Sequence, residues 1–462
     1  MGEAQPKIKS QRENFTSQLG VIFAAAGSAI GIGNVWRFSY VVGTNGGGAF
    51  LLVYLICILL VGIPLMMAEL AIGRATQKSA VPAFRQIAPK SFWVVAGALG
   101  VIAAFLILTY YPLVTGWSIG YMVEAIFNWG PMIEDPAGFF DGFVADPTKS
   151  FIVLIVALIL TALTLVGGVA KGIEKWCKIL MPMLIVIMCI LIVRAVTLPG
   201  AGEGLKFLFY PDFSHFGIRS FIDALGHGFY SLSIGMAIMI TYGSYIRKEE
   251  NLVSTTISVT GLDVITALMA GVAIFPAVFA FGLQPDSGPG LAFITLPKTF
   301  SQMPFGQFFA ALFFLLLLVS ALASMMSLMQ VLVAFLEDVF HMKRRNILIG
   351  LSVLLFACGI PSVLSFSVMS DFTILGLTYF DFVDQLSANV IVPITGLLTA
   401  IFVGYKYGAR ICQAHIKEGA KNPNSILIKT FPVLIKYVVP IAVILILLAA
   451  VGVFDFLSPV EG

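Results

Sequence analysis

Apolar residues run through this 462-residue chain in long blocks separated by short polar joints. Blocks of 18 or more are long enough to cross a bilayer as helices. The pattern predicts eleven of them, near 16–42, 48–73, 93–128, 150–168, 176–198, 220–246, 253–283, 304–340, 346–367, 373–405 and 430–456. The expected fold class is therefore an all-α polytopic membrane protein. The first block follows a polar stretch with Lys7, Lys9 and Arg12. It is too long for a signal peptide and lacks a small-residue cleavage pattern, so it is expected to be retained.

Two blocks are interrupted. Gly27-Ser28-Ala29-Ile30-Gly31-Ile32-Gly33-Asn34 places three glycines in seven positions of the first, and each mid-helix Gly costs about 1 kcal/mol relative to Ala. A tightly packed small-residue face would explain this run. So would an unwound stretch, offering carbonyls to a cation and a half-helix N-terminus to an anion. About 200 positions later, His227-Gly228-Phe229-Tyr230-Ser231-Leu232-Ser233-Ile234-Gly235-Met236 interrupts the sixth block in the same way. Each interruption is followed by a block bearing a carboxylate, Glu69 and Asp263. Matching interruptions in two halves point to a transporter's binding site, and five spans per half would invert one half against the other. The organisation expected is 1–198 for the first repeat, 199–219 for an external loop, 220–407 for the inverted second repeat, and 408–462 for a cytoplasmic loop and the last helix.

Composition and charge sharpen this. Only 11% of residues are charged and 59% are hydrophobic, against about 25% charged in soluble domains. With the N-terminus in the cytoplasm, 21 of the 27 Lys and Arg fall inside, five fall outside, and Arg37 lies within the first span. The positive-inside rule thus puts the N-terminus in, and eleven spans put the C-terminus out. A basic inner surface needs no nucleic-acid partner to explain it. The five cysteines show no CxxC spacing and the four histidines no cluster, and zinc-protease, nucleophile-elbow and phosphate-loop motifs are missing. An enzyme is not expected. Glu69 is a functional candidate because it is a carboxylate at membrane depth. Pro182 frees a carbonyl one turn back and makes local unwinding cheap. Ser320, Ser324 and Ser327 share one helical face, and Asp381 and Asp384 open the tenth span in range of Arg37.

These residues resemble the neurotransmitter:sodium symporters, in particular their prokaryotic amino-acid-transporting branch, across nearly the whole chain. The likeness rests on Gly27 to Phe38, Asn45-Gly46-Gly47-Gly48-Ala49-Phe50, Gly62-Ile63-Pro64-Leu65, Phe229-Tyr230-Ser231-Leu232-Ser233 and Ile240-Thr241-Tyr242-Gly243-Ser244-Tyr245. It implies the fold of the bacterial leucine transporter, with two inverted five-helix repeats, broken helices 1 and 6, and here an eleventh helix. It implies a first sodium site at Ala29, Asn34, Ser231 and Asp263, completed by the substrate carboxylate. A second is implied at the carbonyls of Gly27, Ile30 and Ser320 with the hydroxyl of Ser324, where Ala323 replaces the family's usual Thr or Asp and removes one oxygen.

For the substrate, the resemblance implies Tyr111, Gly31 and Gly33 at a carboxylate, and carbonyls around Ala29, Tyr230 and Ser231 at an ammonium, with Ser233 beside them. Ile107, Tyr230, Met236, Ser324, Met325 and Leu328 would wall the side-chain pocket. Amine-transporting relatives carry Asp at the Gly31 position, so the glycine favours an amino acid. The flexible, apolar wall favours a hydrophobic or aromatic one. Arg37 with Asp384 would form the external gate, Tyr111 with Tyr230 the lid, and Arg12 with Asp338 the inner gate. Phe15 and Gln18 replace a usual Trp and a common basic residue there. Asp263 would supply the charge that chloride supplies in animal members, so chloride independence is expected. His227 stands for the usual Gln near Tyr54 and Asp263, as a hydrogen-bonded neutral ring or as a partner exchanging a proton with Asp263.

The leading expectation is a sodium-driven amino-acid symporter in a prokaryotic plasma (cell inner) membrane, using one or two Na+ and working by alternating access, with unwinding at Pro182 wetting the inner sodium path. A proton-coupled carrier of the same fold and a non-transporting membrane amino-acid sensor are the alternatives.

Overall fold

The computed structural model describes residues 12–214, 216–282 and 290–453. Lys7, Lys9, His215, the far ends of the seventh and eleventh expected spans and the C-terminal residues lie outside the described residues. Among the described residues, nine helices are long and apolar enough to cross a membrane, and a bent pair adds a tenth. That pair is α1 (Gln18–Ala29) and α2 (Gly33–Thr44), which meet at 57°. The others used below are α3 (Gly48–Thr76), α4 (Val94–Phe127), α5 (Pro147–Leu165) and α6 (Val169–Val196). Next come α7 (Ile218–Ser231), α8 (Ile238–Gly243), α9 (Leu252–Ala280), α10 (Gly306–Phe340), α11 (Arg344–Leu364), α12 (Tyr379–Lys417) and α13 (Ile426–Ala450).

Local chemistry sets the ends. Ser17 caps α1 by accepting the Gly20 N–H at 3.1 Å, and Asp146 caps α5 ahead of Pro147 at its first turn. Asn251 caps α9 through the Ser254 N–H. The expected tenth span, 373–405, is corrected at both ends. Thr373–Ile374 and Leu377–Thr378 pair as a short antiparallel hairpin, turned by Leu375 and Gly376 at positive φ. The helix begins only at Tyr379 and runs on to Lys417, through residues expected in a loop. The expected loop 199–219 likewise contains a helix, Ala201–Phe209.

The expected sixth span is not one helix. α7 stops at Ser231, α8 starts at Ile238, and Ser233 and Ala237 between them lie at φ +53 and +60. A non-Gly residue in that region costs about 1–2 kcal/mol, so the surroundings must impose it. One imposing contact is Glu69, whose Oε1 accepts the Gly235 N–H at 2.9 Å. Gly235 itself has φ +78, and a Cβ there would strike the Val392 carbonyl. α1 packs on α6, α9 and α10, while α7 and α8 pack on the two halves of α3. Both interruptions therefore lie in the middle of the bundle.

Gly235→Ala is expected to lower the apparent melting temperature of the detergent-solubilised protein. The conformational term alone is ~1–2 kcal/mol, and the clash with Val392 adds to it. An unchanged transition in a fluorescence melting curve would contradict this account of the break.

Candidate functional site

Where the two interruptions meet, their loose backbone groups are bonded by side chains. The Ser28 carbonyl accepts Ser233 Oγ–H and Ser324 Oγ–H, each at 3.0 Å. The Ile32 N–H donates to the Tyr111 hydroxyl at 3.3 Å. These contacts surround a cavity of about 30 Å³. Ala29, Gly31, Gly33 and Asn34 from the first interruption line it, with Ile107 and Tyr111 of α4. Tyr230, Ser231, Ser233 and Met236 come from the second, and Ser324 and Leu328 from α10. Ser28 and Ile238 also face the cavity and were not anticipated. Ile238 opens the resumed helix after the break, a position that could have been found by extending the apolar wall one turn. Met325 is corrected: its sulfur lies 3.7 Å from Thr161 Oγ on α5, and it does not line the cavity.

Gly31 explains how the cavity stays open on one side. A Cβ there would sit 2.6 Å from Ser324 Oγ and 3.1 Å from the Tyr111 hydroxyl. Only glycine leaves both hydroxyls in place.

Beside the cavity lies a cluster of oxygens. Asn34 Nδ2 donates to Asp263 Oδ1 at 2.6 Å, and Ser231 Oγ stands 2.9 Å from both Asp263 oxygens. Tyr54 OH lies 3.5 Å from Asp263 Oδ2 and from Ser231 Oγ. Asp263 and Asn34 are fully buried. A buried carboxylate with amide and hydroxyl oxygens is the donor chemistry of a hard cation. Its sole carboxylate distinguishes it from a multi-acid divalent site, and no group of three His, Cys, Asp or Glu converges among the described residues.

The second predicted oxygen set is thinner. Ser324 Oγ approaches the Gly27 carbonyl at 3.5 Å; the Ser320 hydroxyl bonds the Leu317 carbonyl of its own helix at 2.9 Å, and the group expected to face a cation there is the Ser320 carbonyl, not this hydroxyl. Ile30 is buried and its N–H returns to Ala26. Ala323 presents a methyl group within contact of Gly27.

The gate residues divide. Arg12 Nη1 pairs with Asp338 at 2.6 Å, and Asp338 also accepts the Ser79 N–H at 2.7 Å. The Arg12 guanidinium lies over the Tyr245 ring at 4.6 Å, and Phe15 meets Tyr242 and Tyr245 edge-on. Gln330 Nε2 donates to the Tyr245 hydroxyl at 2.7 Å. Gln18 is half-buried nearby, with its side-chain nitrogen unbonded. This side is closed.

On the opposite side, Tyr111 and Tyr230 separate the cavity from a vestibule of about 570 Å³. Arg37 and Asp384 both line it but form no ion pair, which corrects the expected external contact. Arg37 lies over the Tyr230 ring at 4.9 Å, and Asp384 accepts the Tyr110 hydroxyl at 2.7 Å. The expected Asp263–His227 contact is also absent. Both His227 ring nitrogens are buried and unbonded, and the ring packs on Tyr54 and Phe38. Pro182 sits inside α6 without breaking it.

A model of the sodium:neurotransmitter symporter family matches residues 12–132 and 144–458. The uncharacterized sodium-dependent transporter YhdH of Bacillus subtilis is 37% identical over 444 residues, covering 96% of this chain and 98% of its own. An uncharacterized sodium-dependent transporter of Haemophilus influenzae is 36% identical, covering 95% and 98%. The sodium- and chloride-dependent GABA transporter ine of Drosophila melanogaster is 27% identical over 90% of this chain and 49% of its own. Among solved structures, MhsT in complex with L-phenylalanine superposes with a TM-score of 0.87 at 43% identity, covering 95% of this chain and all of that one.

Asp263→Asn keeps the shape of the cluster and removes its charge. Sodium chloride, compared with choline chloride, is expected to raise the melting temperature of the parent protein by mass action. In the variant that sodium increment should fall to near zero. An equal increment in both proteins would place the cation elsewhere.

Proposed function

Because the chain belongs to the sodium:neurotransmitter symporter family, secondary transporters rather than enzymes, we propose that it is a sodium-coupled symporter importing a neutral, hydrophobic or aromatic L-amino acid by alternating access. The observation that carries this reading is the junction of the two broken helices. A cavity with an apolar wall of Ile107, Met236 and Leu328 adjoins the Asn34–Ser231–Asp263 cluster. The α-carboxylate would lie near Tyr111 and Gly31, touching the cation held by Ala29, Asn34, Ser231 and Asp263. The ammonium would take carbonyls near Ala29 and Tyr230. L-Phenylalanine in MhsT supports an aromatic substrate.

Counting α7 and α8 as one interrupted span brings the total to eleven, and helices 1–5 and 6–10 are read as inverted repeats over 1–198 and 220–407. The vestibule then faces outward and the Arg12–Asp338 pair inward, with the N-terminus cytoplasmic and the C-terminus outside. Arg37 would reach Asp384 as the tyrosine lid closes, and unwinding near Pro182 would wet the inner path. One coupling ion is favoured over two, because Ala323 presents a methyl group beside Gly27 where a Thr or Asp would add an oxygen. Asp263 supplies a fixed negative charge, so transport is read as chloride-independent.

In proteoliposomes, an inward sodium gradient should drive accumulation of L-phenylalanine or another large apolar amino acid, unchanged when gluconate replaces chloride. Uptake that follows a proton gradient with sodium absent would overturn the sodium assignment. Uptake lost without chloride would overturn the fixed-charge argument.

Gly31→Ala is expected to weaken amino-acid binding more than tenfold by displacing Ser324 Oγ or the Tyr111 hydroxyl. Scintillation proximity binding reads this directly. Parent-level affinity in the variant would remove Gly31 from the carboxylate site.

A further inference from the structure

One buried carboxylate lies outside everything described so far. Glu174, at the start of α6, is 1% exposed. Its Oε2 accepts the Thr16 N–H at 2.7 Å, and its Oε1 accepts Thr16 Oγ–H at 2.5 Å and Ser17 Oγ–H at 3.0 Å. Lys178, one turn on in its own helix, reaches Oε1 at 2.7 Å. Three of these four contacts come from the residues that begin α1. The carboxylate also presses on Gly20, where a Cβ would overlap it. A reciprocal bond runs the other way: Glu13 Oε1 accepts the Ala170 N–H at 3.0 Å.

The segment that Glu174 anchors is weakly supported within its own helix. Val169–Glu174 is a wide π-type turn, and Pro182 removes the N–H that would bond the Lys178 carbonyl. The residues between them cover the first interruption. Gly27 has Cys177 Sγ and Met181 Cε, both on α6, and Ala323 in van der Waals contact with the position of a Cβ, 3.4 Å each. Any path from the cavity to the Arg12 side that passes between α1 and α6 must separate these groups.

We propose that Glu174 is the positioning residue that holds the start of α1 closed against α6, and that release of its bonds to Thr16 and Ser17 is required to open the cavity toward the Arg12 side. The inference rests on the alternating-access reading. Thr16 and Ser17 offer three donors to a carboxylate that is 1% exposed, so charge-assisted bonds hold this end of α1 alongside the Arg12–Asp338 pair. Glu174→Gln keeps the volume but replaces half of the acceptor set with a donor, which faces the Thr16 N–H or the two hydroxyls.

Cys177 is itself the reporter, since it is fully buried under this contact. In a full-length chain keeping only that cysteine, reconstituted in nanodiscs, labelling by a maleimide should be slow. Glu174→Gln should speed it about tenfold. The pair Thr16→Val with Ser17→Ala should do the same, and combining all three changes should add nothing further, since they break one contact. Lys178→Met, which touches only its own helix, should leave the rate near that of the parent. The second reporter is Gln385→Cys in the vestibule, placed in a cysteine-free chain. Its labelling should slow as Cys177 labelling speeds. Faster labelling at both positions would mean general loosening and overturn the proposal, as would an unchanged Cys177 rate in folded Glu174→Gln or additive effects of the two sets. The readout needs no substrate, so failed uptake by the parent would count against the symporter reading alone.

Discussion

Backbone groups freed at membrane depth must find partners inside the protein, because hydrocarbon offers none and each orphan costs several kcal/mol. The architecture at the middle of this bundle follows from that constraint. Breaking α1 at Ile30 and α7 at Leu232 exposes carbonyls and N–H groups, and four polar side chains nearby bond to them. Ser233 and Ser324 take the Ser28 carbonyl, Tyr111 takes the Ile32 N–H, and Glu69 takes the Gly235 N–H. The same bonds that permit the breaks also shape the cavity.

The two faces of the molecule differ in how firmly they are shut. The Arg12–Asp338 pair is conspicuous, but its side chains remain 15% and 16% exposed. It does not act alone. The closure is distributed instead. Arg12 stacks on Tyr245, Tyr245 is fixed by Gln330, Gln330 is bonded to Arg344, and Phe15 wedges between two tyrosine edges. On the vestibule face Tyr111 and Tyr230 stand between the cavity and the vestibule, and Arg37 and Asp384 are each engaged with an aromatic neighbour. A thin cover on one side and a thick one on the other is the arrangement expected of a carrier poised to receive ligand from the vestibule.

Much of this was legible in the sequence, for identifiable reasons. Span positions follow from hydropathy because the bilayer fixes helix length, and the breaks follow from glycine density and from a second polar run at matching spacing. What failed was side-chain direction and pairing. Ser324 and Leu328 are one turn apart and face the cavity together, whereas Met325 is rotated by about 100° and meets Thr161 on another helix. The Asp263–His227 contact failed because the Tyr54 ring packs on His227 while its hydroxyl stands near Asp263. The Arg37–Asp384 pair depends on how far the lid has closed, which no residue pattern encodes. Glu174 went unnoticed because a lone Glu between Lys171 and Lys175 reads as the solvated start of a helix. Only the fold brings the Thr16 backbone to it.

The chemistry of the central cluster then constrains the order of events on the proposed reading. Asp263 is fully buried, and its bonds to Asn34 and Ser231 supply dipoles but no compensating charge. An amino acid entering beside it brings a second carboxylate. Two such charges about 6 Å apart repel by ~3 kcal/mol at an effective dielectric constant of 20, roughly a hundredfold in affinity. A cation seated between them turns that repulsion into two attractions. Ligand and cation therefore favour each other by a reciprocal coupling free energy, and the carboxylate that makes the empty site inhospitable to substrate is the same group that recruits the ion. The Ser28 carbonyl carries no such demand, since hydroxyl donors from Ser233 and Ser324 already satisfy it. Tight coupling is thus a property of where this buried carboxylate stands, next to a cavity that admits another charge of the same sign.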